Sequence, residues 1–145
     1  MNWLVFSKYL GASLAIGFSA LGCGFSEGSV AAKASESIAR QPKAASEIVR
    51  TMLVTQAVSE TAGIFGLMIA FMLIFVLPSE GKESTMTAYV SAGLCMGLGA
   101  IGSGLGSGIA GASACYSVAR YPKQSVSILL NTLIGQAISQ TGAIF

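Results

Sequence analysis

Long apolar runs, broken at recurring places, set the reading of this chain. Lys8 and Glu27 are the only charges in residues 1–32, Glu60 is the only one in residues 51–79, and none lies in residues 84–119 or after Lys123. These runs exceed or approach the roughly 20 apolar residues that cross a hydrocarbon core about 30 Å thick. The pattern predicts four transmembrane helices, near residues 4–38, 45–77, 86–118 and 125–145. Short loops containing Pro42 and Pro122 join the first to the second and the third to the fourth. Residues 78–84, with Pro78, Gly81 and three charges, connect the halves.

The pattern is written twice. A shift of 80 residues lays Ala39-Arg40-Gln41-Pro42-Lys43 on Ala119-Arg120-Tyr121-Pro122-Lys123, and Gln56-Ala57-Val58-Ser59-Glu60-Thr61 on Gln136-Ala137-Ile138-Ser139-Gln140-Thr141. Residues 9–65 and 89–145 share 23 identities in 57 aligned positions. A duplicated unit of this kind organises the whole fold. The expected fold class is an all-α membrane protein of two tandem helical hairpins: a first hairpin over residues 1–78, an extracytoplasmic linker over 79–88, and a second hairpin over 89–145.

Composition agrees, since 53% hydrophobic and 10% charged residues cannot supply the mixed charged surface of a soluble domain. A secretory signal peptide fits the first run poorly, because the basic leading segment is missing and residues from Tyr9 onward belong to the repeat. The net charge of +2 says little about partners and gives no reason to expect nucleic acid. Its placement says more. Lys33, Arg40, Lys43, Arg50, Arg120 and Lys123 all flank the proline loops, which the positive-inside tendency makes cytoplasmic. Cys23, Cys95 and Cys115 show no metal-ligand spacing and are expected to be small core residues.

The first and third helices are rich in small residues, among them Gly17, Gly24 and Gly28, then Gly97, Gly102 and Gly106. In water such helices would be weakened, whereas in lipid small residues four apart allow close backbone packing. Here they fall on more than one face, as expected of a helix packed on several sides in the inner layer of an oligomer. The second and fourth helices are bulkier, the second carrying Leu67, Met68, Ile69, Phe71, Met72, Leu73, Ile74 and Phe75, and both are expected to face lipid. Glycine-rich strings here are not nucleotide fingerprints, because no strand precedes them.

Glu60 is the residue that calls for function, since a charge near the bilayer centre costs at least about 2.5 to 3.5 kcal/mol. It must be neutralised there, by a proton or a bound cation. Gln56 shares its helical face and is a candidate hydrogen-bond partner. Glu27 should reach a similar depth once the chain folds back at Pro42, as an ion ligand or as a structural hydrogen-bonding group. In the second copy the matching residues are Ser107 and Gln140, followed by Thr141. They can hydrogen-bond but cannot exchange an ion.

These residues resemble the proteolipid, or c-ring component, of rotary ATPases. The likeness rests on the glycine-rich first helix, the Ala39-Arg40-Gln41-Pro42 loop and the Gln56-to-Gly63 segment, while the duplication is similar to the double-hairpin proteolipids of V-type enzymes. The resemblance implies a ring of c subunits, homo- or hetero-oligomeric, that turns against a stator a subunit in a prokaryotic plasma membrane. It implies a non-catalytic, ion-translocating role with no cofactor beyond the transported Na⁺ or H⁺. Carried over by position, Glu60 is the ion-binding carboxylate, with the Val58 carbonyl, the Thr61 hydroxyl and Glu27 as further ligands of a Na⁺ site. Arg40, Gln41, Pro42, Arg120 and Pro122 would meet the central stalk.

Two rival readings remain at this level: a small four-helix proton-coupled exporter, and a structural or pore-forming proteolipid. The chain also stops at Phe145, the counterpart of Phe65, whereas the second helix runs on to Leu77. The fourth helix is therefore expected to be truncated.

Overall fold

The computed structural model of the chain describes residues 3–78 and 83–144. Helix α1 spans Trp3–Arg40, α2 Ala45–Ser59, α3 Thr61–Phe71, α4 Glu83–Arg120 and α5 Ser125–Ile144. No strand occurs among the described residues. Helices α2 and α3 continue one another: Glu60 N–H donates to the Gln56 carbonyl and Ile64 N–H to the Glu60 carbonyl, both at 3.1 Å. Together they are the second of the four expected helices, and α3 ends in a π-helical turn, Met72–Val76. Trp3–Arg40, Pro42–Val76 and Thr85–Arg120 are each long and apolar enough to cross a membrane. Helix α4 already begins at Glu83, so residues 83–88, read from the sequence as linker, are helical. Glu80 and Lys82 of that linker, and the terminal Phe145, lie outside the described residues.

Both proline loops fold alike, for one reason. Proline has no N–H to continue a helix and pushes the preceding residue out of the helical region. Gln41 and Tyr121 accordingly take φ near −136° and −130°. In each loop this residue closes the preceding helix, Gln41 N–H to the Ser37 carbonyl and Tyr121 N–H to the Ser117 carbonyl, both at 2.9 Å. A 3₁₀ turn, Pro42–Ala44 or Pro122–Gln124, then starts the returning helix.

The glycine-rich helices α1 and α4 share the most extensive interface in the chain, with α2–α3 and α5 packed outside them. Their contact is backbone on backbone. A Cβ added to Gly22 would meet the Ala100 carbonyl oxygen at 2.6 Å, and one added to Gly104 would lie 2.7 Å from Gly22. Dispersion between closely approaching helices replaces the hydrophobic drive that lipid does not provide.

The bulky residues of α3 and of the Met72–Val76 turn that follows it divide more finely than expected. Leu67, Phe71 and Phe75 are exposed, but Leu73 is 2% exposed and packs with Leu4, Ala12, Ala70 and Tyr89. Cys23 and Cys115 are buried, whereas Cys95, on α4, is exposed and is no core residue. At the end remote from the proline loops, Lys8 Nζ donates to the Leu77 carbonyl at 2.7 Å and the Tyr89 hydroxyl to the Pro78 carbonyl at 2.9 Å. These bonds satisfy carbonyls that the end of a helix leaves without intrahelical partners.

Candidate functional site

Glu60 occupies the junction between α2 and α3, where the helix tightens locally and its N–H is shared between the Gln56 and Val58 carbonyls. Its side chain is exposed on the lateral surface. Two contacts set its level against α1. Gln56 Nε2 donates to the Glu27 backbone carbonyl at 3.1 Å, and Cys23 Sγ to the Ser59 carbonyl at 3.5 Å. Glu60 thus lies level with the turn that holds Cys23, displaced along the helix axis by about one helical turn from the level of Glu27. Gln56, expected to serve the Glu60 carboxylate, spends its amide on the backbone of Glu27 instead.

The second hairpin repeats this arrangement without the charge. Gln136 Nε2 donates to the Ser107 backbone carbonyl at 2.9 Å, as Gln56 does to that of Glu27. Gln140 Nε2 donates to the Ser107 hydroxyl at 3.3 Å, the contact that stands where Glu60 and Glu27 stand in the first hairpin. Both glutamines are buried, Gln136 fully and Gln140 to 5% exposure. The sequence pointed to Gln140 and passed over Gln136. Its signal was present in the recurrence of Gln56 as Gln136.

Both buried glutamines also cross to the first hairpin. Gln136 Nε2 donates to the Thr55 carbonyl at 3.2 Å and Gln140 Nε2 to the Val58 carbonyl at 3.4 Å. The Val58 carbonyl accepts the Thr61 hydroxyl as well, at 2.8 Å, and the Thr141 hydroxyl donates in the same way to the Ile138 carbonyl at 2.7 Å. The sequence grouped Val58 and Thr61 with Glu60; within one chain, the Val58 carbonyl is turned to Gln140.

Near the proline loops, Glu36 pairs with Lys33 at 2.7 Å and with Arg40. The Tyr116 ring centre lies 5.3 Å from Lys33 Nζ and 4.6 Å from the Arg120 guanidinium carbon, bringing a cation of each hairpin to one aromatic ring. Arg40, Gln41, Pro42 and Arg120 are exposed and Pro122 is half-buried. Among the described residues no three His, Cys, Asp or Glu gather as a metal cluster. What the site offers is one hairpin with two carboxylates and carbonyl oxygens, a donor set suited to a proton or a hard cation.

Comparison with known proteins gives consistent results. The family of ATP synthase c subunits matches residues 10–73 and 90–145, once for each hairpin. The ATP synthase c subunit of Thermotoga petrophila is 47% identical over 70 residues, covering 48% of this chain and 82% of the relative. That of Natranaerobius thermophilus is 46% identical over 72 residues, with coverages of 50% and 83%. That of Gloeobacter violaceus is 42% identical over 75 residues, with coverages of 52% and 92%. Each relative therefore corresponds to about half of this chain.

Proposed function

This chain belongs to the family of ATP synthase c subunits, and from that premise we propose that it translocates Na⁺ or H⁺ by reversible occupation of Glu60. It is a non-catalytic, integral membrane rotor component of the complex, built as a duplicated hairpin, and the family implies an oligomeric ring. That membership leaves the exporter and the pore-forming proteolipid without support.

The observation that carries the proposal is the contrast between Glu60 and Gln140. Glu60 is exposed laterally in the middle of a membrane-long helix; its counterpart is buried and hydrogen-bonded through an amide that cannot ionise. An ionised Glu60 facing lipid would cost at least about 2.5 to 3.5 kcal/mol. It faces lipid loaded, and unloads where a stator a subunit offers a polar path. Glu27 assists as a second carboxylate beside it. Each chain then carries one ion where two single hairpins would carry two. A ring built only from such chains moves fewer ions per turn, and each charge moved against 100 mV costs about 2.3 kcal/mol. Fewer ions per ATP favours pumping against a steep gradient.

In the same proposal the proline loops are cytoplasmic. Arg40, Gln41, Pro42, Arg120 and Pro122 form the surface that meets the central stalk, backed by the Tyr116 contacts of Lys33 and Arg120.

Carbodiimide labelling of the purified protein across pH, with and without NaCl and read by mass spectrometry, tests the site. Labelling confined to Glu60 and suppressed by Na⁺ is the result expected of a Na⁺ site, and labelling indifferent to Na⁺ that of a H⁺ site. Absence of labelling at Glu60 under every condition would end the proposal.

A further inference from the structure

The duplication keeps an arginine at the loop end of each glycine-rich helix but keeps its counter-charge only once. In the first hairpin Glu36 pairs with both Lys33 and Arg40. Shifted by 80 residues, Lys33, Glu36 and Arg40 become Ser113, Tyr116 and Arg120. Arg120 retains its charge, while the acid four residues before it has become an aromatic ring whose centre lies 4.6 Å from the guanidinium carbon. An aromatic face attracts a cation without neutralising it. Among the described residues no carboxylate pairs with Arg120.

Between the two helix ends lies a cleft of about 330 Å³, lined by Ser37, Arg40 and Gln41 of the first hairpin and Tyr116, Ala119 and Arg120 of the second. One water molecule needs only roughly 15 Å³, so the cleft has room for a polyatomic ligand. Three cations, Lys33, Arg40 and Arg120, stand in or beside it against the carboxylate of Glu36, an excess of two positive charges.

Ser37 supplies an independent observation. It is 0% exposed, it lines the cleft, and its hydroxyl has no hydrogen-bond partner. Ser117, its equivalent in the second hairpin, donates to the Ser113 carbonyl one turn back at 2.9 Å. A buried hydroxyl left without a partner costs free energy that an added acceptor recovers. The cleft thus offers donors from both hairpins: two guanidinium forks, the Ser37 hydroxyl and the Gln41 amide. Guanidinium forks match the paired oxygens of phosphate and carboxylate alike. An excess of two charges, with donors on several sides, suits a tetrahedral dianion better than a planar monoanion.

We propose that this cleft binds a phosphate group, held between the Arg40 and Arg120 guanidiniums with the Ser37 hydroxyl as a further donor. Its source is either free inorganic phosphate or the monoester headgroup of an anionic lipid, since the cleft lies where two membrane-long helices end. The site depends on neither Glu60 nor the transported ion. Because the same arginines belong to the surface proposed to meet the central stalk, a bound phosphate would compete there with an acidic partner; that consequence rests on the proposed orientation, and the site itself does not.

Phenylglyoxal modification of arginine tests the site, read by mass spectrometry on the full chain as purified in maltoside, at constant ionic strength set with NaCl. Inorganic phosphate at about ten times its dissociation constant should slow modification of Arg40 and Arg120 by about tenfold. Arg50, which lies outside the cleft, should be unaffected. Phosphatidic acid mixed into the micelles without free phosphate gives the same protection if the lipid headgroup is the source. Protection by either probe supports the site; protection by neither, or equal slowing at Arg50, overturns it. Ser37→Ala should raise the concentration of the protecting probe that half-protects Arg120 by about fivefold, the scale of one hydrogen bond, and Ser117→Ala by less than about twofold. Tyr116→Glu, which restores the counter-charge present in the first hairpin, should abolish protection at Arg120. Undiminished protection in Tyr116→Glu, or the reverse ranking of the two serines, would overturn the assignment.

Discussion

The Gln140 amide donates to the Val58 carbonyl at 3.4 Å, two residues along the helix from Glu60. The position that in the first hairpin carries a carboxylate on the open surface thus serves, in the second, as a strut between hairpins. Gln136 adds the same kind of strut one turn away, to the Thr55 carbonyl.

Removing these struts should cost stability in proportion to their bonds. Gln136→Leu takes away the donors to both the Thr55 and Ser107 carbonyls from a fully buried residue, whereas Gln56→Leu removes one bond, to the Glu27 carbonyl. Interhelical hydrogen bonds in membranes average about 0.6 kcal/mol. Thermal unfolding of the detergent-solubilised chain should show the larger loss for Gln136→Leu; an equal or smaller loss than for Gln56→Leu would count against the strut.

The glycines offer a paired comparison. In Gly22→Ala the new methyl meets the Ala100 carbonyl oxygen at 2.6 Å, with backbone on both sides of the contact, while in Gly24→Ala it meets nothing within 4 Å. Overpacking of this kind costs about 1 to 3 kcal/mol. For chains dispersed singly in detergent, Gly22→Ala should lower the melting midpoint and Gly24→Ala leave it nearly unchanged. In the assembled ring, Gly24→Ala should instead weaken association between chains, seen as earlier ring dissociation on heating in detergent.

Much of this was legible in the residues. The 80-residue repeat, the two proline loops and the lone charge at Glu60 were enough to expect two hairpins and to single out one carboxylate. What stayed hidden was which face meets what. In α1 and α4 small residues lie on several sides, so periodicity marks no single buried stripe, and Gly22 cannot be told from Gly24 without its neighbour across the interface. Cys95 misled for a related reason: an apolar sequence in lipid is apolar on its exposed and buried faces alike. Gln56 and Val58 were tied to Glu60 by helical spacing, yet Gln56 bonds to Glu27 and the Val58 carbonyl to Gln140, contacts between helices that spacing along one helix cannot reveal.

The connection between the hairpins should loosen when its tether is cut. Tyr89→Phe removes the hydroxyl that donates to the Pro78 carbonyl at 2.9 Å and leaves the ring packed with Leu4, Leu73 and Ala70. A net hydrogen bond is worth about 0.5 to 1.5 kcal/mol. Amide exchange over Met72–Val76, the turn just before Pro78, should quicken by about three- to tenfold, with the loop amides of Gln41 and Tyr121 unaffected. Equal acceleration at both ends would mean that the bond acts on global stability and not as a local tether.

The most informative substitution is Gln140→Glu, because it puts a carboxyl where an amide now bridges Ser107 and Val58. Protonated, that carboxyl keeps one donor and can still reach the Val58 carbonyl. Ionised, it faces the same carbonyl as a second acceptor in a buried site, and the strut becomes a repulsion. The folded state then binds a proton more tightly than the unfolded chain does, so its stability should be retained at low pH and lost as pH rises. The parent chain, with an amide there, should lack this component. Carbodiimide should accordingly label one carboxylate per parent chain and a second, at position 140, in the variant. If labelling at position 140 is absent, and melting follows the same pH course as in the parent, the buried amide is not where an ion-binding carboxylate once fitted.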